Sequence, residues 1–328
     1  MKIDNERHLL ALLLDCCGTF VAAATLADLL HITPAAVHRH IEALRARGAV
    51  IAYHHDAGYC LQEIPVRLYP DFIYDSLSTE RIARHIYYFP RIDSTNNVAK
   101  MLAAEGAADG TLVLAEEQTA GRGRMDRTWL SPAFSSILCS IIFFPKLSPA
   151  ALFRLTMIAS VAIVNAIRRI CGVTAHIKWP NDIYLGGKKV CGILTEFSAD
   201  PQQVLYAVVG IGLNVNNEFR EHPELKNTAT SLRLEGGKTV SRFALLVALL
   251  EELDDQYHIL NTGGFDAIRR SWEQHTLIRG KRVTIFSGDR IIRGIAQSIN
   301  DNGHLIVIDT NGVCQEIICG DVSLRLDV

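Results

Sequence analysis

Apolar and polar positions alternate with two rhythms along this chain, and the changes of rhythm divide it. Over the first sixty residues the period is helical. Leucines recur at helical spacing through residues 6–16, and Ala22–Leu30 forms a second short stretch ending at His31-Ile32. Thr33-Pro34 opens a third, pairing a capping hydroxyl with proline at the first helical position. There Val37, Ile41 and Leu44 fall at i, i+4 and i+7, leaving Ala35, His38, Arg39, Glu42 and Arg45 outside. Gly48 ends the helix. Val50–Tyr53 and Tyr59–Leu61 then read as strands flanking His54-His55-Asp56-Ala57-Gly58, and prolines 65 and 70 discourage helix and mark a linker.

Strand-like runs follow at Ile86–Phe89, Thr111–Glu117, Ser136–Phe144, Ala175–Trp179, Ile183–Leu185, Lys189–Phe197 and Val204–Val215. Gly186-Gly187 reads as a hairpin turn. Helices are predicted from Asp93 or Ser94 to about Ala104, over Pro149–Cys171 and from Arg242 to about Leu260, and Thr230-Ser231-Leu232 helps to close this region. Leu155–Ile167 is apolar nearly all round, yet it has only about half the roughly 20 residues a membrane span needs. With arginines at 154, 168 and 169 beside it, we expect a helix buried against a sheet and no membrane partner. Beyond Ile278 come short β-branched runs, Arg282–Phe286, Arg290–Ile299, Leu305–Ile308 and Val313–Ile318, separated by Ser287-Gly288-Asp289, Asn302-Gly303 and Asn311-Gly312. The pattern predicts an α+β multidomain chain: residues 1–64 as three helices and a hairpin, 65–276 around a mixed sheet, and 277–328 as a small β-barrel.

Length and composition add bounds. The 328 residues are 49% hydrophobic, enough for two or three packed cores, and a net charge of -2 argues against general affinity for nucleic acid. The eight cysteines show no C-x-x-C pair and no metal spacing with histidine, which suits a reduced cytoplasm. Leu9–Leu14 is too short for the apolar core of a signal peptide.

Candidate chemistry gathers around Gly121-Arg122-Gly123-Arg124-Met125-Asp126-Arg127-Thr128-Trp129, set between two apolar runs. Its glycines let backbone approach a ligand, and its arginines present planar donor forks to phosphate or carboxylate. In company with Asp93-Ser94-Thr95-Asn96, Gln118-Thr119-Ala120, Lys178-Trp179-Pro180-Asn181-Asp182, Lys188–Leu194 and Gly210–Asn216, this run resembles the biotin protein ligase family over roughly residues 86–216. In one place the chain departs from it: the family's loop usually has Arg-Gly where this sequence has Met125-Asp126.

The resemblance implies a biotin/lipoate ligase-like catalytic domain, an SH3-like C-terminal barrel, and a reaction in which biotin and ATP with Mg2+ form biotinyl-5′-AMP. The biotinyl group then passes to a lysine of the biotin carboxyl carrier protein of acetyl-CoA carboxylase. Ser94, Thr95, Asn96 and Gln118, with Gly121, Arg122, Gly123 and Arg124, would meet the ureido ring and its surroundings. Trp129 would form an apolar wall, with Gly192, Gly210 and Gly212 leaving room against backbone. Lys189, at the start of a strand, would stabilise charge growing on the phosphoryl oxygens, with Arg122 and Arg124 beside it, while Lys188 points to the opposite face. Lys178 would share the phosphate, and Asn181 and Asn214 would read adenine. Asp182 is the candidate Mg2+ ligand, with a structural salt bridge as its other reading.

The N-terminal helices and hairpin suit a winged helix-turn-helix, with Thr33, Ala35, Ala36, His38 and Arg39 toward DNA. The other reading of those helices is a three-helix interaction module, since residues 1–60 hold more acids than lysines and arginines. A winged helix ahead of a biotin ligase resembles the bifunctional biotin operon repressors, which implies operator DNA as a partner and a homodimer when adenylate is bound. A ligand-sensing repressor without transferase activity is the competing function.

Overall fold

The computed structural model describes residues 2–16, 18–63, 67–125, 127–220, 222–287, 290–318 and 320–324. Asp126 of the loop, Ile64-Pro65 of the expected linker, Gly288-Asp289 of one expected turn, and Cys17 and Cys319 lie outside the described residues. The chain divides into two compact units, Met1–Ser78 and Thr79–Val328.

In the first unit, helices Lys2–Asp15, Ala23–Leu30 and Pro34–Ala46 are followed by the antiparallel strands Val50–His54 and Gly58–Glu63. The Thr33 hydroxyl accepts the Ala36 N–H at 3.2 Å, so the predicted cap and the proline behind it start the third helix. Val37, Ile41 and Leu44 are fully buried, as their spacing requires. Ala36 is buried with them, whereas Ala35, His38 and Arg39 are exposed. Ala36 therefore belongs to the inner face and is removed from the surface expected to meet DNA. Gly58 has a φ of +92°, and a Cβ there would stand 2.1 Å from the Val21 carbonyl oxygen, so the hairpin closes on Val21 only with glycine.

The expected linker is shorter than residues 64–70. Pro70 occupies the first turn of a helix, Pro70–Ser76, where its missing N–H costs nothing. Phe72 and Ile73 of that helix are buried, it packs on Lys2–Asp15, and Asp71 pairs with Arg47. The N-terminal unit thus reaches Ser78.

The second unit holds a seven-stranded sheet in the order Ile86–Phe89, Leu112–Ala115, Ser136–Phe143, Val204–Asn214, Lys188–Ala199, Asp182–Leu185, His176–Lys178. Its first pair is parallel and the others antiparallel, which makes the sheet mixed, as predicted. Gly186 and Gly187, with φ of +58° and +80°, turn the tight hairpin between Asp182–Leu185 and Lys188–Ala199. The apolar helix runs over Phe153–Cys171, after a single turn at Pro149–Ala151, close to the predicted Pro149–Cys171, and it is mostly buried against helix Arg242–Thr262 and the sheet. Its length and composition would suffice for a membrane span, but its surface is used inside the protein.

Arg242 and Glu116 form an ion pair of 2.7 Å with side chains only 3% and 1% exposed, and Arg242 also donates to the Ser136 carbonyl at 2.8 Å. Removing either partner would leave a buried charge, a change that costs about 3–5 kcal/mol in such pairs. Helix Asp266–His275 was absent from the sequence prediction. Ile268 and Trp272, spaced i and i+4 in an otherwise polar run, are the residues it buries.

A five-stranded antiparallel sheet completes the unit, in the order Cys314–Ile317, Leu305–Asp309, Arg290–Ile299, Arg282–Ser287, Asp321–Leu324. The strand Asp321–Leu324 was also unpredicted. The fully buried Trp179 donates its indole N–H to the Gly303 carbonyl at 3.2 Å, which ties the run before Asn181 to a turn of this sheet.

Candidate functional site

A cleft of about 800 Å³ opens over strands Lys188–Ala199 and Val204–Asn214. The structure brings to it nearly every residue that the sequence singled out: Ser94, Thr95, Asn96, Gln118, Arg122, Gly123, Arg124, Trp129, Lys178, Asn181, Asp182, Lys189, Gly192, Gly210, Gly212 and Asn214. Gly121 is the exception. A Cβ on it would lie 2.5 Å from the Trp129 carbonyl oxygen, so this glycine closes the loop on itself.

At one end lies a polar network. The Gln118 Oε1 accepts the Thr95 N–H at 2.7 Å and the Thr95 hydroxyl at 3.1 Å, which leaves the Gln118 NH2 group for a ligand. Ser94 sits at the N-cap of helix Thr95–Ala104, but its side chain makes no capping bond. The Ser140 hydroxyl lies 2.7 Å from Thr95 Oγ1 and 2.6 Å from Asn96 Oδ1. Asn96 spends both amide hydrogens internally, on the Leu194 carbonyl at 3.2 Å and on Glu196 Oε2 at 2.8 Å. It frames the subsite and has no donor left for biotin-like groups, contrary to the direct role expected.

Arg122 also differs from expectation. Its Nη2 donates to Glu196 Oε2 at 2.7 Å, while Lys189 Nζ lies 2.6 Å from Asp182 Oδ1, so the two cations do not share one anion partner. The Asp182 salt bridge weighed from sequence is therefore present. Burial opposes the charge of Glu196. Hydrogen bonds from Lys100 and Asn96 and the charges of Lys100 and Arg122 outweigh it and hold the carboxyl below its usual range.

Between the ends lie Trp129 and the paired residues Gly192 and Gly212. A Cβ on Gly212 would stand 2.6 Å from Trp129 Cε2, and one on Gly192 would stand 3.0 Å from Cζ3. The indole itself lies on this glycine floor. The glycine floor is therefore covered by the indole, where open backbone had been expected. Gly210 is covered too, since its Cβ position is 2.1 Å from Asn96 Oδ1. Lys189 Nζ is 5.5 Å from the Trp129 ring centre, a cation–π contact that helps fix the ammonium.

The remaining polar residues sort by what they already hold. Asn181 gives its NH2 to the Ile193 carbonyl at 2.7 Å and accepts Arg124 Nη1 at 3.1 Å. Asn181 thereby tethers the arginine loop, and these two bonds leave the second hydrogen of its NH2 group unused. Lys178 Nζ is 3.2 Å from the Tyr184 hydroxyl and 4.9 Å from its ring centre. Asn214 donates to the Thr230 carbonyl at 3.1 Å, but its buried Oδ1 has no partner among the described residues, nor has the Trp129 Nε1. Two unpaired polar atoms beside a cleft are expensive unless a ligand meets them. Lys188 turns away to the Lys226 carbonyl at 2.8 Å, as its strand position predicted.

Sequence reasoning missed Ser140 and Glu196. Both signals were present: a lone hydroxyl in the apolar run 137–144, and a lone acid in Lys189–Phe197 on the same strand face as Gly192. Leu277, Lys281, Phe286 and Val322 also reach the cleft wall from the C-terminal region. Burial raises the Cys139 thiol to about 12 and Cys191 well above its usual value, so neither is a thiolate nucleophile. Among the described residues no group of three His, Cys, Asp or Glu side chains could hold a metal ion.

Residues 88–214 match the Biotin/lipoate A/B protein ligase family, and residues 279–325 match the Biotin protein ligase C terminal domain. The chain is 34% identical to the bifunctional ligase/repressor BirA of Bacillus subtilis over 325 residues, covering 99% of this chain and 100% of the relative. It is 29% identical to the bifunctional ligase/repressor BirA of Escherichia coli, covering 98% of each. The biotin protein ligase from Aquifex aeolicus, solved with biotin and ATP, superposes with a TM-score of 0.64 at 30% identity, covering 74% of this chain and 99% of that one. The chain therefore belongs to the biotin protein ligase family.

Proposed function

We propose that this protein joins biotin to ATP as biotinyl-5′-AMP, transfers the biotinyl group to a lysine of a biotin carboxyl carrier protein, and represses transcription at a biotin operator. The observation that carries the ligase reading is one cleft with a neutral hydrogen-bonding end, Ser94 and Gln118, and a cationic end, Lys189, separated by the indole of Trp129. The A. aeolicus relative, named for its biotin and ATP complex, supports the same ligands here.

In the first step a biotin carboxylate oxygen bonds to the α-phosphorus as the bond to pyrophosphate breaks. Negative charge rises on the phosphoryl oxygens, and Lys189, held between Asp182 and Trp129, lowers the barrier as a fixed cation. It is no base. Arg124, tethered by Asn181, keeps the loop over the cleft. Asn214 Oδ1 would accept from the adenine amine. In the second step the neutral carrier lysine attacks the acyl carbon, AMP leaves, and the amine proton passes to solvent. Magnesium takes one or two protein carboxylates plus substrate phosphates, so Asp182 alone fits an ion carried in by ATP, where it would screen phosphate charge.

For the N-terminal unit we read the third helix and the hairpin as a winged helix-turn-helix, with Thr33, Ala35, His38 and Arg39 on the DNA side. His38 Nδ1 lies 2.9 Å from the Tyr59 hydroxyl, which braces helix against wing. Two half-sites require two such helices, so we read the repressing form as a homodimer with the adenylate as co-repressor. The five-stranded sheet is read as the SH3-like barrel. Incubation with biotin, ATP, Mg2+ and a carrier domain tests the ligase reading: a biotin-sized mass gain on one carrier lysine is expected. DNA binding without that gain would replace it by the transferase-lacking repressor.

A further inference from the structure

Glu196 is the one acid in strand Lys188–Ala199, and it is absent from the cleft wall itself. Three donors nevertheless converge on its carboxylate. Lys100 Nζ reaches Oε1 at 2.7 Å, while Asn96 Nδ2 at 2.8 Å and Arg122 Nη2 at 2.7 Å share Oε2. Those donors come from helix Thr95–Ala104 and from the arginine loop, two segments distant in sequence from Glu196 that both border the neutral end of the cleft.

We propose that Glu196 is the positioning residue of the biotin subsite, setting its geometry through Asn96 and Arg122 without touching the ligand. The inference rests on the ligase reading above. One carboxylate oxygen serves both residues, so moving it shifts both. Asn96 in turn presents Oδ1 to Ser140, which lies 2.7 Å from Thr95, which bonds Gln118. The chain of bonds thus runs from Glu196 to the group left free for the ligand. Arg122 brings the loop with it, since its backbone precedes Gly123 and Arg124 and bridges to Thr128, next to Trp129.

The carboxylate charge is what holds the arrangement. Neutral glutamine of the same shape still accepts one bond, but it offers no counter-charge to Lys100 and Arg122, and hydrogen bonds to ionised groups are the stronger kind. The ATP end has separate supports, Asp182 for Lys189 and Thr230 for Asn214, so it is insulated from the change.

The test is Glu196→Gln in the full chain, with biotin and ATP affinities measured separately by calorimetry and thermal melting followed in parallel. Biotin binding at least tenfold weaker, ATP binding within about twofold and an intact melting transition are expected. Unchanged biotin affinity overturns the assignment. So does an equal loss for both ligands with a lowered melting temperature, which marks a merely structural acid. If that variant does not fold, Glu196→Asp gives the same reading, since it keeps the charge but withdraws it from both partners. Unchanged biotin affinity there overturns the proposal too. Parent protein that biotinylates the carrier keeps the ligase reading in either case, so the two failures are distinguishable.

Discussion

Gly212→Ala puts the smallest possible change at the point where the cleft is tightest. The added Cβ would stand 2.6 Å from Trp129 Cε2 and 2.7 Å from Nε1, whereas non-bonded carbons pack at about 3.5–4.0 Å, so the ring must retreat by about 1 Å. Strand backbone flanks Gly212 on both sides, through Gly192 and Leu138, so the movement falls on the indole and points it into the cleft. Overpacking of this kind costs about 1–3 kcal/mol, equivalent to about a fivefold to hundredfold loss of biotin affinity where the indole takes ligand space. Displacing the ring also removes the surface 5.5 Å from Lys189 Nζ. Intrinsic fluorescence is the assay, because Trp179 and Trp272 are fully buried and Trp129 is the indole that the substitution moves. A shifted emission without ligand and a weaker biotin titration are expected. Gly236→Ala, with nothing within 4 Å of its Cβ, should change neither. Parent-like emission together with parent-like affinity in Gly212→Ala would refute the close-packed glycine floor.

Lys189→Ala should slow adenylate formation at saturating substrates by about tenfold to a hundredfold while the fold persists, since about 1.4–3 kcal/mol of transition-state stabilisation is lost. Unchanged single-turnover activation would remove Lys189 from the chemistry. Arg39→Ala should weaken operator binding and leave carrier biotinylation intact, and equal gel-shift affinity for variant and parent counts against groove reading. Met125 is 67% exposed with a φ of +55°, and with Asp126 it makes the loop two charges more negative than the family pattern. A carboxylate about 8 Å from phosphate repels it by about 2 kcal/mol at an effective dielectric near 20, before screening. Met125→Arg with Asp126→Gly is accordingly expected to slow adenylate release, and matching dissociation rates at low salt would remove the loop charge from adenylate retention.

Much of this architecture was legible because the chain states it locally. Thr33-Pro34, Gly186-Gly187 and the alternating runs each carry their own start, turn or period, and the structure follows them. The errors arose where a residue's role depends on distant partners. Pro70 reads as a breaker until the helix behind it is seen to pack on the first helix. Helix Asp266–His275 buries only Ile268 and Trp272, too sparse a stripe to stand out in a polar run. Within the site, residue types located the cleft but not the division of labour. Asn96 bears an amide suited to a ligand, yet it spends both hydrogens on the Leu194 carbonyl and Glu196, while Asn181 gives one hydrogen to the Ile193 carbonyl and holds Arg124. Glu196 gained its importance only when helix Thr95–Ala104 and the loop folded over it.

Trp179 sits between Lys178, which lines the cleft, and Pro180, two residues before Asp182, and its indole is fastened to the Gly303 carbonyl of the C-terminal sheet. That sheet is consequently a structural neighbour of the chemistry. A disturbance of the turn at Asn302-Gly303, more than a hundred positions downstream, needs to cross only a single hydrogen bond and one residue of chain to reach Lys178 in the cleft wall. Residues that look peripheral on a linear map can therefore act on catalysis with no ligand contact of their own.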